Sequence, residues 1–414
     1  MYKNFGISDR VINASNKALQ RIKDQFAYID EIAEYNQLKI NDAFCENRIA
    51  EAHFHGTSGY GYNDMGREAI EKIYAKVFNV EDALVRTQFV SGTHTITTCL
   101  FGILRPGDTL LAISGKPYDT LYDVIHGENI GSLKDFGVNY HEIELDENFD
   151  IKLDKVLEYI ENDKTVKMIE IQRSKGYGWR KTFSADYINF IIKKVHEKFP
   201  EVVCFVDNCY GELVDKEEPY EADLIAGSLI KNLGAGITPT GGYVVGKTKY
   251  VELVAQRLTS PGVGKECGAT LGLNKSVLQG LFMAPHVVSQ AIKTAVFCAA
   301  LLEEFDFVAE PSSNEIRHDI IQSAKLLNKD NLVNFCQGLQ SASPIDSFVV
   351  PCPWAMPGYN DEVIMAAGAF NQGSSIELSA DAPVKEPYIV YMQGGLTFES
   401  GKLGIMKAVS NMVK

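Results

Sequence analysis

Apolar residues recur every three to four positions through residues 8–50, at Val11, Ala14, Ala18, Leu19, Ile22, Phe26, Ile29 and Ile32. That spacing is the period of an amphipathic helix, and it predicts an N-terminal helical segment over residues 1–58. The stretch HFHGTSGYGYNDMGR at 53–67, rich in glycine and aromatic residues, reads as a loop, with another helix over about 66–79. From 84 to 246 the pattern changes to short apolar runs separated by helical stretches. The expected strands are ALVR (83–86), TLLAIS (109–114), KMIEIQ (167–172), VVCFVDN (202–208), LIAGSL (224–229) and YVVG (243–246). Helices are expected over 93–104, 118–127 and 184–198. Such alternation describes an α/β domain with a large, mostly parallel sheet, placed at residues 59–285. After a helical region over about 270–303 the alternation weakens to ALLEEFDF, DSFVVP, SSIELS and IVYMQGG. This predicts a smaller α+β domain over 286–414, closed by a helix from about 400 to the end.

A length of 414 residues suits two domains better than one core. The net charge of -14 disfavours nucleic acid and anionic membranes as partners, since both demand a positive field. The opening MYKNFGISDR has no basic stretch before an apolar core and does not read as a signal peptide. No apolar run reads as long enough to span a bilayer. The eight cysteines form no CxxC pair, and their spacing fits reduced, buried thiols in a cytoplasmic protein. His53 and His55 have no carboxylate or thiol at ligand spacing, so no metal site is expected there.

Four features carry candidate chemistry. Lys231 ends SLIK and opens a glycine-rich loop, where it either faces the crevice in which open α/β sheets bind ligands or is a solvated loop lysine. Packing against apolar neighbours is expected to lower its pKa and favour a nucleophilic amine suited to Schiff-base formation. Asp207 ends VVCFVDN, 24 residues earlier, and either enters the same crevice or caps a helix. Ser91, Gly92, Thr93 and His94 open a helix and either hold an anion at its N-terminus, where Ser228 adds a hydroxyl, or only cap the helix. The sequence lacks both G-x-x-x-x-G-K-[ST] and G-x-G-x-x-G, which disfavours nucleoside triphosphates and dinucleotides. Tyr118, just past another strand, either stacks on a flat cofactor or belongs to the core.

These pieces resemble the Cys/Met-metabolism family of pyridoxal-phosphate (PLP) enzymes of fold type I, and most of all its aluminium-resistance branch of cystathionine beta-lyase-like and methionine gamma-lyase-like proteins. The closer likeness rests on GYGYNDMGRE (59–68), IQRSKGYGWR (171–180), SPGVGKECGATLG (260–272), QGSSIELSADAP (372–383) and YMQGGLTFESGKLGIM (391–406). The resemblance implies that Lys231 binds PLP as a Schiff base, that Asp207 pairs with the pyridine nitrogen and that Tyr118 stacks on the ring. Gly92, Thr93 and Ser228 would bind the phosphate, with Ser91 close by. Tyr60 or Tyr62, with Arg67, would stand for the element that reaches the phosphate from a neighbouring subunit. Where the wider family clamps the substrate carboxylate with arginine, this chain has Tyr391, and Arg173 is the substitute considered.

The implied function is a PLP-dependent carbon–sulfur lyase acting on a sulfur-containing amino acid, as a homodimer or homotetramer with shared sites. Lys231 and Tyr118 would be its catalytic residues. Two rivals are another PLP reaction, of aminotransferase or aldolase type, and a non-catalytic protein of the same fold linked to metal stress.

Overall fold

The long N-terminal helical pattern divides in two. In the computed structural model, which describes residues 2–356 and 361–413, α1 (Asp9–Arg21) ends at Ile22 and α2 (Lys23–Glu46) begins directly after it. Ser8 caps α1 by accepting a hydrogen bond from the Val11 amide. Val11, Ala18 and Ile22 are fully buried, as their spacing requires. Helix α3 (Met65–Phe78) is capped by Asp64, which accepts from the Arg67 amide.

The chain then runs through β1 (Asp82–Arg86), α4 (Gly92–Ile103), β2 (Thr109–Ala112), α5 (Asp119–His126), β3 (Asn139–Glu142) and α6 (Leu153–Asn162). It continues through β4 (Val166–Gln172), α7 (Ala185–Lys198), β5 (Val203–Asp207), β6 (Leu224–Ser228), β7 (Gly242–Gly246) and α8 (Thr248–Leu258). The seven strands make one sheet in the order β1-β7-β6-β5-β4-β2-β3. Strands β3, β2, β4, β5 and β6 are parallel, and β7 runs antiparallel to both its neighbours. The sheet is buried on both faces. Met168, Phe205 and Leu224 belong to one apolar cluster, and their neighbours Ile169, Val206 and Ile225 to another. This two-sided burial is why the strands read as continuous apolar runs. Strand β3 was not expected, because NYHE at a half-exposed sheet edge shows no apolar run.

Helix α9 (Asn274–Glu303) leads to β8 (Val308–Glu310), β9 (Ile321–Lys325), α10 (Lys329–Ser341), β10 (Val363–Ala367), β11 (Ser379–Pro383), β12 (Ile389–Gln393) and α11 (Phe398–Met412). The five strands form an antiparallel sheet ordered β10-β11-β12-β9-β8. In β10, β11 and β12 the even-numbered Ile364, Ala380, Ala382, Val390 and Met392 are fully or almost fully buried in the core. The odd-numbered residues Asp381, Tyr391 and Gln393 line a cavity.

Several expectations need correction. DSFVVP forms no strand and lies exposed, with Phe348 83% exposed. ALLEEFDF is the end of α9 and the turn after it, and SSIELS only reaches the first residue of β11. The boundary at 285 falls inside α9, which carries Pro285 within its length. The last helix ends at Met412, and Lys414 lies outside the described residues. Helix α9 is also long and apolar enough to cross a membrane, contrary to the sequence reading, but most of that stretch is buried within the protein.

Candidate active site

Parallel strands β4, β5 and β6 all end on one side of the sheet, and their carboxyl ends carry Gln172, Asp207 and Ser228. They open into a cavity of about 980 Å³ that Lys231, Tyr118 and the start of α4 also line. Lys231 sits three residues beyond β6, and its Nζ lies over the Tyr210 ring, 3.8 Å from the centroid. Burial disfavours its ammonium, but Cys209, Tyr210, Asp207 and Tyr118 around it more than offset that and raise its pKa above the usual lysine value. The depressed pKa expected from apolar packing is therefore corrected: the strand end gathers acidic groups around the lysine as well as apolar ones.

Asp207 is 4% exposed, and its Oδ1 accepts a hydrogen bond from the Cys209 amide at 3.1 Å. Burial raises its pKa, while Lys231 and that amide pull it back. Tyr118 donates from its hydroxyl to Thr93 Oγ1 at 3.2 Å, and its amide donates to Gln172 Oε1 at 2.9 Å. Ser91 caps α4 by accepting from the His94 amide at 3.0 Å. A Cβ on Gly92 would come within 3.3 Å of the Ser228 Cβ and 3.5 Å of the Cys209 sulfur. Glycine thus leaves the start of α4 open above β6. Ser91, Gly92, Thr93, Tyr118, Asp207, Ser228 and Lys231 all border one cavity.

Other candidates stand apart from it. Arg173 is fully buried, and its guanidinium donates to Asp215 at 2.7 Å, to Glu218 at 3.2 Å and to Asn208 at 2.8 Å. It does not border the cavity, so its assignment to the substrate carboxylate is corrected: the buried Glu218 and the half-buried Asp215 already hold it. Arg67 is 3% exposed and donates to the carbonyls of Gly61, Gly268 and Glu266. These contacts hold its two terminal nitrogens to backbone within this chain, while its Nε has no partner among the described residues. Tyr60 and Tyr62 stack on each other, 72% and 57% exposed, away from this chain's own cavity. Tyr391 does border the cavity, but its hydroxyl donates to the Tyr177 carbonyl at 2.6 Å.

The site also holds residues that the sequence reading passed over. Gln172 ends β4, and Cys209 and Tyr210 follow Asp207 directly, so strand position could have found them. Tyr177, Trp179 and Asp381 carry no such signal, because a loop and a separate sheet bring them to the cavity. His53 and His55 join no cluster of metal-ligating groups among the described residues. His196, Cys204 and Asp223 do cluster, but Asp223 is already engaged by Lys247 at 2.6 Å, His196 at 3.0 Å and the Cys204 amide at 2.7 Å. All eight cysteines are free, five of them buried.

A sequence profile of the methionine gamma-lyase family matches residues 11–413. The uncharacterized protein YnbB of Bacillus subtilis (strain 168) is 49% identical over 391 residues, covering 93% of this chain and 92% of its own length. The crystal structure of a candidate cystathionine beta-lyase involved in aluminum resistance from Clostridium acetobutylicum superimposes with a TM-score of 0.97. It is 50% identical and covers 100% of this chain and 97% of its own. A carbon-sulfur lyase involved in aluminum resistance from Clostridium novyi NT gives 0.96 at 50% identity, covering 99% and 98%. The PLP-dependent protein YhfS of Escherichia coli, 17% identical with a TM-score of 0.61 over 92% of this chain and 96% of its own, shares the fold alone.

Proposed function

Because the chain belongs to the methionine gamma-lyase family and has the PLP fold type I architecture, we propose that it is a PLP-dependent carbon–sulfur lyase acting on a sulfur-containing amino acid. One observation carries this reading: Lys231, Asp207, Tyr118 and the open start of α4 border a single cavity at the carboxyl ends of the parallel strands. That donor set fits PLP. A lysine amine stands for its carbonyl, a buried carboxylate for its ring nitrogen, an aromatic ring for its flat face and a hydroxyl-lined helix start for its phosphate.

When bound, PLP supplies an electron sink for the carbon beside the substrate's amine. Asp207 would pair with the ring nitrogen and keep a proton there, and its burial would keep that pair out of water. Ser91, Gly92, Thr93 and Ser228 hold the phosphate, and the Thr93–Tyr118 hydrogen bond fixes the stacking ring at the same end. Lys231 Nζ would take the proton from the substrate carbon and hand it to the departing sulfur as the carbon–sulfur bond breaks, so that sulfur leaves as a thiol. In the same reading the working unit is a cytoplasmic homodimer or homotetramer. The exposed Tyr60 and Tyr62 support it, since they lie on the surface of this chain and do not border its own cavity.

The test pairs absorption spectra with product assays on purified wild type and Lys231→Ala, each supplied with PLP. Wild type is expected to show a visible cofactor band that the variant lacks, and to release thiol and keto acid from cystathionine, methionine or cysteine. Wild type that holds the cofactor yet forms keto acid without thiol, or aldehyde, or nothing, overturns the lyase reading.

A further inference from the structure

The cavity has a second end. Register sets Asp381 directly opposite Tyr391, and Tyr391 opposite Ser323, so these side chains form a row on one face of the antiparallel sheet. The loop after β4 lies against that row. The Tyr177 hydroxyl hydrogen-bonds the Asp381 carboxylate, and the Tyr177 and Tyr391 rings lie 5.1 Å apart. Trp179 borders the same space, its ring under Lys325 Nζ at 4.3 Å. Asp381 is only 8% exposed.

Among the described residues no lysine, arginine or histidine pairs with Asp381. Of the cations nearby, Lys325 lies over the Trp179 ring, and three others are committed to partners within the protein. Lys175 donates to the Glu310 carbonyl at 2.9 Å and reaches Ser323, two strands away from Asp381. Lys385 pairs with Asp361 at 2.8 Å. Arg180 donates to the carbonyls of Lys181, Gln172 and Ser174. A carboxylate held out of water without a counter-charge is costly, and one hydroxyl donor offsets only part of that cost. A ligand bringing a positive charge recovers it, and aromatic faces add cation–π attraction. An anionic ligand would meet repulsion at the same spot.

Resting on the lyase reading above, we propose that Asp381 is the specificity-determining residue of this cavity and that it reads a positively charged group on the substrate side chain. The substrate class is a sulfur-containing amino acid with a second, distal amine. One amine reacts at the Lys231 end, and the other sits between Asp381 and the Tyr177 and Tyr391 rings.

The experiment measures affinity on the PLP-loaded protein with three probes of similar shape that lack sulfur: L-lysine, L-norleucine and L-2-aminoadipate. Thiol release from S-(2-aminoethyl)-L-cysteine and S-propyl-L-cysteine is followed in parallel. Lysine is expected to bind about tenfold more tightly than norleucine, with aminoadipate weakest. Asp381→Asn is expected to bring lysine and norleucine to within about twofold of each other, with lysine losing most. Tyr177→Phe, which keeps the carboxylate and removes its partner hydroxyl, is expected to retain or sharpen the preference. Should Asp381→Asn fail to fold, loss of the preference in Tyr177→Phe overturns the proposal. Equal affinities in wild type, or an Asp381→Asn variant that weakens all three probes alike, also overturn it. Charge preference without thiol release retires the lyase reading and leaves the cationic subsite standing. Thiol release without charge preference does the reverse.

Discussion

Glu170 stands in the middle of β4, 1% exposed, and neither carboxylate oxygen has a hydrogen-bond partner among the described residues. Burial, helped by Asp207, pushes its pKa up to about 8, against a pull downward from Arg180. The folded protein therefore keeps a proton that the unfolded chain gives up near the ordinary value of 4.5. Stability from this group is fully present below that value and drains away as pH rises toward 8. Glutamine mimics the protonated acid and does not titrate. Glu170→Gln is thus expected to match wild type at about pH 5 and to exceed it by about 1–3 kcal/mol at about pH 8, in denaturant unfolding. A difference that stays constant between the two conditions would mean that Glu170 is not the titrating group. Burial of this kind was invisible in the sequence, where MIEIQ reads as one polar break in an apolar strand. Lys231, Asp207 and Tyr118 were legible because each follows a strand end, and strand ends decide what faces the crevice. Arg173 follows a strand too, but its partners Asp215 and Glu218 arrive from 42 and 45 residues away.

At the scale of elements, the turn between β6 and β7 decides where Lys231 points. A Cβ on Gly234 would fall 1.7 Å from the Leu229 carbonyl oxygen and 2.9 Å from the Thr238 Cβ. Backbone lies on one side of that clash, so the turn must open and take Lys231 with it. Gly234→Ala is expected to cost more than about 2 kcal/mol and to lower cofactor occupancy, read as cofactor absorbance per protein. Full occupancy at unchanged melting temperature would refute this. The six strands read from the sequence were those whose apolar runs are buried on both faces. Strand β3 escaped notice because it is a polar edge. DSFVVP misled for the opposite reason, since Phe348, Val349 and Val350 are apolar yet exposed. The boundary at 285 falls inside the helical region expected over about 270–303, and α9 runs through Pro285 there.

The whole molecule is tied together by that helix. Of its residues, Leu281, Ala284, Ala291 and Ala295 are fully buried, and the apolar cluster they join includes residues of both sheets. Helix α2 packs along it, and Arg21 fastens the end of α1 to it through Glu303, Glu304 and the Ala300 carbonyl. Cutting the chain at residue 285 would divide one core rather than separate two. Thermal unfolding is therefore expected as one transition, with far-UV and near-UV circular dichroism coincident. Two resolved steps would indicate that the sheets unfold independently. The antiparallel sheet has a further consequence. In β11 and β12 the even positions fill the core while the odd positions Asp381, Tyr391 and Gln393 border the cavity, so folding and ligand choice are written in alternate letters of the same strands. A lineage can revise the odd letters at Asp381, Tyr391 or Gln393 and acquire a different diet while the even letters keep the protein intact.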